Sequence, residues 1–402
     1  MEMIPLEQFQ IAKKNMDDMH VLNSSKLIHM PFLSEREGNT VYIKPELLQK
    51  IGAYKIRGAF NFIFNLSEEE RKIGVIAASA GNHAQGVALS AKMLGVKAII
   101  VMPKMTPLIK VENVKKYGAE VVLEGNIYDE AYQHALKLQK EHGYVFAHPF
   151  NDDKVITGQG TIALEILEDL PNTDIILVPV GGGGLVSGIA MAAKQINPNI
   201  KVIAVEPASA PCLKEALKAG KVVTLPKVST IADGTAVATF GDRTFEYCKE
   251  YVDDVILVED EELTEAFITL VNEAKLVAEP SGILSLAAIK KLECKGKNVV
   301  SIISGGNIDL FMIQAFLQKG MLLTHRVLSF KIITLNKIDT IPKLTELLNV
   351  MGAKIIEIHQ TRFNNFDLFH EIEIEVTVET KNKDQQDSIL KKLEEMNYKL
   401  VK

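Results

Sequence analysis

The chain is poor in cysteine: Cys212, Cys248 and Cys294 stand far apart and form no CxxC pair. That spacing excludes a zinc ribbon and offers no disulfide framework, so a reducing, cytoplasmic setting is expected. A basic stripe is also missing. The net charge is −6 and the lysines and arginines are dispersed, which argues against a nucleic-acid partner. The opening stretch, MEMIPLEQFQIAKKNM, has an acid at its second position and no sustained apolar core, so it is not read as a signal peptide. The longest uncharged run, Ile175 to Ala193, has the length of a bilayer span, but Pro179 and four successive glycines would break a spanning helix. No membrane partner is expected. Solenoid repeats and low-complexity tracts are absent as well.

What remains is a globular composition. With 402 residues, 47% apolar and 24% charged, the chain can bury large cores in two or three domains. From about residue 73, short apolar runs alternate with helical periods: IGVIAAS, VKAIIVMP, AEVVLE, DIILVPV, NIKVIAVEP, DVILVED and NVVSIISGG. The spacing predicts an α/β fold in which mostly parallel strands are covered by helices, with ligands at the carboxyl ends of the strands. From Arg326 onward the pattern changes to βαββαβ, and the alternation in HEIEIEVTVE marks a half-exposed antiparallel strand. A separate small α+β domain is expected there, after a linker near Gly320 to His325.

Four stretches carry chemistry. IGAYKIRGAFN sets Lys55 between an aromatic and an apolar residue, as a lysine used through its neutral amine requires. The strand DIILVPV runs into Gly181, Gly182, Gly183 and Gly184 and then into a helix, so bare backbone amides and a helix N-terminus can converge on an anion. Neither the GxGxxG nor the Walker spacing is met, because Val186 and Ile189 occupy key positions. Tight strand-to-helix packing would also use glycines, although four exceed what packing alone calls for. SAGNHAQGVA offers amides and side chains of Ser79, Gly81, Asn82 and His83 at another strand end; a capped helix start explains it equally well. SGGN places Ser304 at a third.

A phosphate cradle, a nucleophilic lysine, an asparagine and a strand-end serine together suit pyridoxal 5'-phosphate. The order YKIRGAFN, SAGNHAQGVA, GGGGL, EPSG, SGGN resembles the fold-type II pyridoxal-phosphate enzymes, particularly the threonine/serine dehydratases. The resemblance implies a catalytic domain over residues 1–320 with two open, mostly parallel sheet lobes, the small lobe at about 50–148 inserted in the large one. It implies Lys55 as the Schiff-base lysine and base, Asn82 on the cofactor's phenolic oxygen, and Gly181 to Gly184 with Leu185 on its phosphate. Ser304 would face the pyridine nitrogen. Ser79, Ala80, Gly81, Asn82 and His83 would meet the substrate carboxylate, with Glu279 near the ring. L-threonine would give 2-oxobutanoate and ammonia, and L-serine would give pyruvate.

The match departs at named positions. Ala53 stands where relatives often carry serine. Ala80 replaces the serine that reprotonates Cα in related racemases, which disfavours racemisation. Cys212 replaces an aspartate that would join Glu206 around a divalent cation, so no metal is expected. Residues 326–402 resemble an ACT regulatory domain, with IIEIHQTR, including His359 and Arg362, as its second strand. The usual turn glycine is missing from Asp339-Thr340-Ile341-Pro342. The resulting expectation is a homo-oligomeric (dimer or tetramer) threonine dehydratase with an amino-acid or nucleotide effector, in isoleucine synthesis or in amino-acid degradation. A serine-preferring dehydratase and a catalytically silent amino-acid sensor are the rival readings.

Overall fold

The computed structural model describes residues 2–361 and 371–401. The chain divides into two compact units, Met1–Asp309 and Leu310–Lys402.

The first unit holds two sheets. The larger has six strands in the spatial order Ile28–His29, Thr40–Pro45, Asn298–Ile303, Ile175–Pro179, Lys201–Pro207 and Asp254–Val258. Its first strand is antiparallel and the rest are parallel. The smaller sheet is entirely parallel: Glu120–Leu123, Ala98–Met102, Val75–Ala78, Val145–Phe146. All seven apolar runs noted above are strands. Ile175–Pro179 is buried at every residue, which explains its unbroken apolar sequence: both faces are covered by helices. Thr40–Pro45 is an additional strand, paired with Asn298–Ile303, that the periodicity after residue 73 does not announce.

Glycines set the distances between the helices that carry the site. The helix Lys55–Phe64 crosses Asp153–Asp169 so closely that a methyl on Gly158 would lie 2.7 Å from the Gly58 Cα. A methyl on Gly86, in the helix Asn82–Leu94, would lie 3.1 Å from the Lys55 carbonyl oxygen. The lysine helix is therefore clamped on two sides by backbone.

A buried ionic network fixes its orientation. Arg57 is completely buried; its Nε donates to Glu46 Oε2 at 2.8 Å and its Nη1 to Glu165 Oε1 at 2.6 Å. Lys44 Nζ donates to the same Glu165 carboxylate at 2.6 Å. Burial pushes the Glu165 carboxyl up, yet Arg57 and then Lys44 outweigh it and hold it at about 2. Removing one partner of such a network costs about 3–5 kcal/mol, because a buried charge is left alone.

The second unit has the expected βαββαβ order. Strands Val327–Leu335, Lys354–Thr361, Glu371–Glu379 and Lys399–Val401 form one antiparallel sheet with Glu371–Glu379 and Val327–Leu335 in the middle. Ile372, Ile374, Val376 and Val378 point into a core with Leu344, Leu348, Ile389 and Leu393, while the intervening glutamates stay half-buried. Arg362 lies outside the described residues. The boundary differs from the linker expected near Gly320 to His325. A helix, Leu310–Leu323, opens the second unit, because LFMIQAFLQK contains good helix formers and no breaker. Only Thr324 to Arg326 form the turn into the first strand.

Candidate active site

Three strand ends and one helix start meet in the first unit. Ile175–Pro179 leads to Gly181–Leu185, Val75–Ala78 to Ser79–His83, and Asn298–Ile303 to Ser304; Lys55 opens the helix that packs between them. The backbone ties the last two together, since Tyr54 N–H donates to the Ser304 carbonyl at 3.1 Å and Ala53 bridges Gly305.

Lys55 is half-buried. Its Nζ donates to the Pro149 carbonyl at 2.8 Å and lies 5.2 Å from the Tyr54 ring centre. Burial pushes its ammonium down to about 8, with the Glu279 charge opposing. A neutral amine is thus accessible near neutral pH, as a nucleophile or base requires.

The glycine turn combines close packing with free donors. Gly183 has φ 92°, a left-handed conformation that favours glycine. A methyl on Gly182 would overlap the Phe150 ring, one on Gly183 the Phe240 ring, and one on Gly184 would lie 2.9 Å from the Phe150 Cα. Packing therefore accounts for three of the four glycines, more than the sequence suggested. Among the described residues the amides of Gly182 to Leu185 donate to no acceptor, although all four residues are buried. Unpaired buried amides at a helix N-terminus fit a phosphate.

The second turn is looser. Ser79, Ala80, Gly81 and Asn82 are half-buried, and a methyl on Gly81 would meet nothing within 4 Å. Asn82 Nδ2 donates to Glu279 Oε1 at 2.7 Å, and Asn82 Oδ1 accepts from Asn307 Nδ2 at 2.7 Å. One Nδ2 hydrogen remains for a ligand. Glu279, 7% exposed, is pushed up to about 7 by burial, against the hydrogen bond from Asn82. It is thus more than a helix cap, and Gly305 carries no side chain because the Glu279 carboxyl occupies that space.

Sequence reasoning missed the stretch Ala147 to Asn151. Pro149 holds Lys55, Ala147 holds His83, and His148 Nδ1 accepts the amides of Phe150 and Asn151 at 3.3 and 2.9 Å. Burial, then the Lys55 charge, pushes His148 down to about 4. The signal was the composition of FAHPFN: an aromatic, histidine and proline cluster just after a strand. Glu206 and Cys212 are each engaged by nearby backbone. Both Glu206 oxygens are engaged by the amides of Leu213 and Lys214 at 2.6 and 3.0 Å, and Cys212 Sγ donates to the Ala238 carbonyl. Among the described residues no group of three His, Cys, Asp or Glu stands ready for a metal, and no helix is long and apolar enough to cross a membrane.

Comparison with known proteins gives one consistent family. A model for pyridoxal-phosphate dependent enzymes matches residues 21–305. An L-threonine ammonia-lyase of Thermotoga maritima is 46% identical over 361 residues, 90% of each chain. The processed form of threonine deaminase isoform 2 from Solanum lycopersicum superposes with a TM-score of 0.76 at 41% identity, over 79% of this chain and 88% of that one. Maize serine racemase follows at 0.74 and 37% identity, over 81% and 100%. With the family model covering most of the first unit, and an amine, a glycine turn and a strand-end serine in place, the chain belongs to the pyridoxal-phosphate dependent enzymes of fold type II.

Proposed function

We propose that this chain is a threonine ammonia-lyase that converts L-threonine to 2-oxobutanoate and ammonia and also accepts L-serine. The observation that carries the reading is the half-buried Lys55 amine between a close-packed, donor-rich turn and an open one. The first, Gly181 to Leu185, would hold the phosphate of pyridoxal 5'-phosphate. When bound, the cofactor supplies an aldehyde and an electron-withdrawing ring that make the substrate α-proton acidic. Lys55, with its ammonium pushed down to about 8, takes that proton at Nζ. Asn82, oriented by Glu279 and Asn307, has one N–H left for the phenolic oxygen. Ser304, 5% exposed at its strand end, offers a hydroxyl to the ring nitrogen, and a neutral serine does not keep that nitrogen protonated. A weaker electron sink favours rapid loss of the β-hydroxyl. The open turn Ser79 to His83 would receive the substrate carboxylate, chiefly on the amides of Ala80, Asn82 and His83, since Ser79 N–H already donates to the Val101 carbonyl and Gly81 N–H to Ser79 Oγ.

Resemblance to the named threonine enzymes supports elimination. Ala80, half-buried in the open turn, supports it over racemisation, since its methyl cannot move a proton to the opposite face. The second unit, with its βαββαβ order, would be an ACT-like regulatory and assembly module of a homo-oligomer. The test is release of 2-oxoacid from threonine and from serine by cofactor-loaded protein, with isoleucine, valine and nucleotides added in turn. Release from neither substrate overturns the reading.

A further inference from the structure

His83 carries a nitrogen that the proposed reaction has not used. The residue is 4% exposed, and its Nε2 lies 2.8 Å from the Ala147 carbonyl oxygen. A carbonyl only accepts, so Nε2 must carry the proton. Burial, then the nearby Lys55 charge, pushes the ring down to about 3, so it is neutral and Nδ1 is a bare acceptor. Among the described residues, this buried Nδ1 has no hydrogen-bond partner. An unpaired buried acceptor calls for a donor from a ligand.

The surroundings indicate which ligand. His83 and Lys55 hang from carbonyls two residues apart, Ala147 and Pro149. The Lys55 charge also acts on the His83 ring, so the imidazole lies close to the catalytic amine. Nδ1 is the ring nitrogen nearer its own backbone, and that backbone belongs to the first turn of the helix Asn82–Leu94, directly after the open turn at Gly81. A carboxylate cannot satisfy it, because both groups only accept. A substrate amino group is committed to the cofactor aldehyde. The remaining donor on threonine or serine is the β-hydroxyl.

We propose that His83 Nδ1 accepts a hydrogen bond from the β-hydroxyl of the substrate and so makes the site select β-hydroxy amino acids. This rests on the threonine/serine reading above and narrows it: the imidazole serves the leaving group, while the carboxylate is left to the turn amides. The bond is recognition only. No proton passes to or from the ring: as the Cβ–O bond breaks, the hydroxyl keeps its own hydrogen and leaves as water by gaining the proton that Lys55 Nζ takes from Cα.

The test uses cofactor-loaded enzyme with threonine, serine and β-chloro-L-alanine, which has the same amino and carboxylate groups but a leaving group with no hydrogen to donate. His83→Gln keeps an N–H for Ala147 and leaves no acceptor at the Nδ1 position. Its kcat/KM for threonine and serine should fall about 10- to 100-fold, against less than about 3-fold for β-chloro-L-alanine. His83→Asn returns an oxygen near the Nδ1 position, so its threonine to β-chloro-L-alanine ratio should stay within about 3-fold of wild type. That arm stands alone where the glutamine variant does not fold. An equal loss on all three substrates, no loss on threonine, or a tenfold fall of the ratio in His83→Asn overturns the proposal. Wild-type enzyme that turns over β-chloro-L-alanine but neither threonine nor serine instead overturns the function reading itself.

Discussion

The two turns that flank Lys55 are built from the same parts and behave oppositely. Each follows a buried parallel strand and opens a helix of 13 residues, so each presents amides without intrahelical partners. At Gly182 to Gly184 there is no room for a methyl, because Phe150 and Phe240 fill it; at Gly81 a methyl meets nothing. A turn that is pinned on all sides suits a group that stays, and a turn with open space suits one that comes and goes. On the assignment proposed above, this difference would separate cofactor phosphate from substrate carboxylate, although backbone amides are the donors at both turns.

The most severe way to break this arrangement is to remove what lies between the turns. Lys55→Ala should lower kcat for threonine by roughly 10⁴-fold or more, since base and nucleophile are lost together. Both turns should survive, with the melting temperature close to wild type. Threonine turnover near the wild-type rate would refute the assignment of the lysine. Next in size is Gly183→Ala. It places a side chain at φ 92° and drives it into Phe240, for a combined cost of about 3 kcal/mol. The expected result is a lower melting temperature and loss of pyridoxal phosphate on gel filtration. Full retention of the cofactor would mean that the cradle lies elsewhere.

Most of this asymmetry is invisible in sequence. The strands were legible because buried parallel strands are continuous apolar runs, and Lys55, Asn82 and the glycine turn were legible because each stands at a strand end or a helix start. Phe150 and Phe240 were not, since they come to the turn from distant segments and nothing near Gly182 announces them. Arg57 was read as part of a motif, whereas its buried partners Glu46 and Glu165 lie 11 and 108 residues away. A charge that is paired across the fold looks in sequence like any solvated charge.

A double-mutant cycle sharpens the comparison at intermediate scale. A methyl on Gly182 meets the Phe150 side chain, while one on Gly184 meets the Phe150 backbone as well. Phe150→Ala should therefore relieve Gly182→Ala with a coupling of about 1–2 kcal/mol in chemical denaturation, and should relieve Gly184→Ala far less. Equal coupling at both positions would show that the turn relaxes as a unit, and the idea of a pinned cradle would fail.

The smallest effect is expected at the open turn, and it tests the other half of the contrast. Gly81 precedes the helix Asn82–Leu94 with φ −122°, a value any residue adopts, so Gly81→Ala carries no backbone strain of the kind met at Gly183. Its methyl would project into space that no protein atom occupies. Melting temperature and cofactor retention should stay at wild-type values. If the amides of Ala80, Asn82 and His83 receive the substrate carboxylate, the methyl intrudes on the incoming substrate alone, and KM for threonine should rise roughly 3- to 10-fold while kcat changes little, the pattern of a lost ground-state contact. Serine and threonine share the carboxylate and should be affected alike, which separates this substitution from changes at His83, where the hydroxyl decides. Loss of cofactor in Gly81→Ala would make the two turns equivalent. An unchanged KM would move the carboxylate site away from this turn and leave the space beside Gly81 to some other part of the substrate.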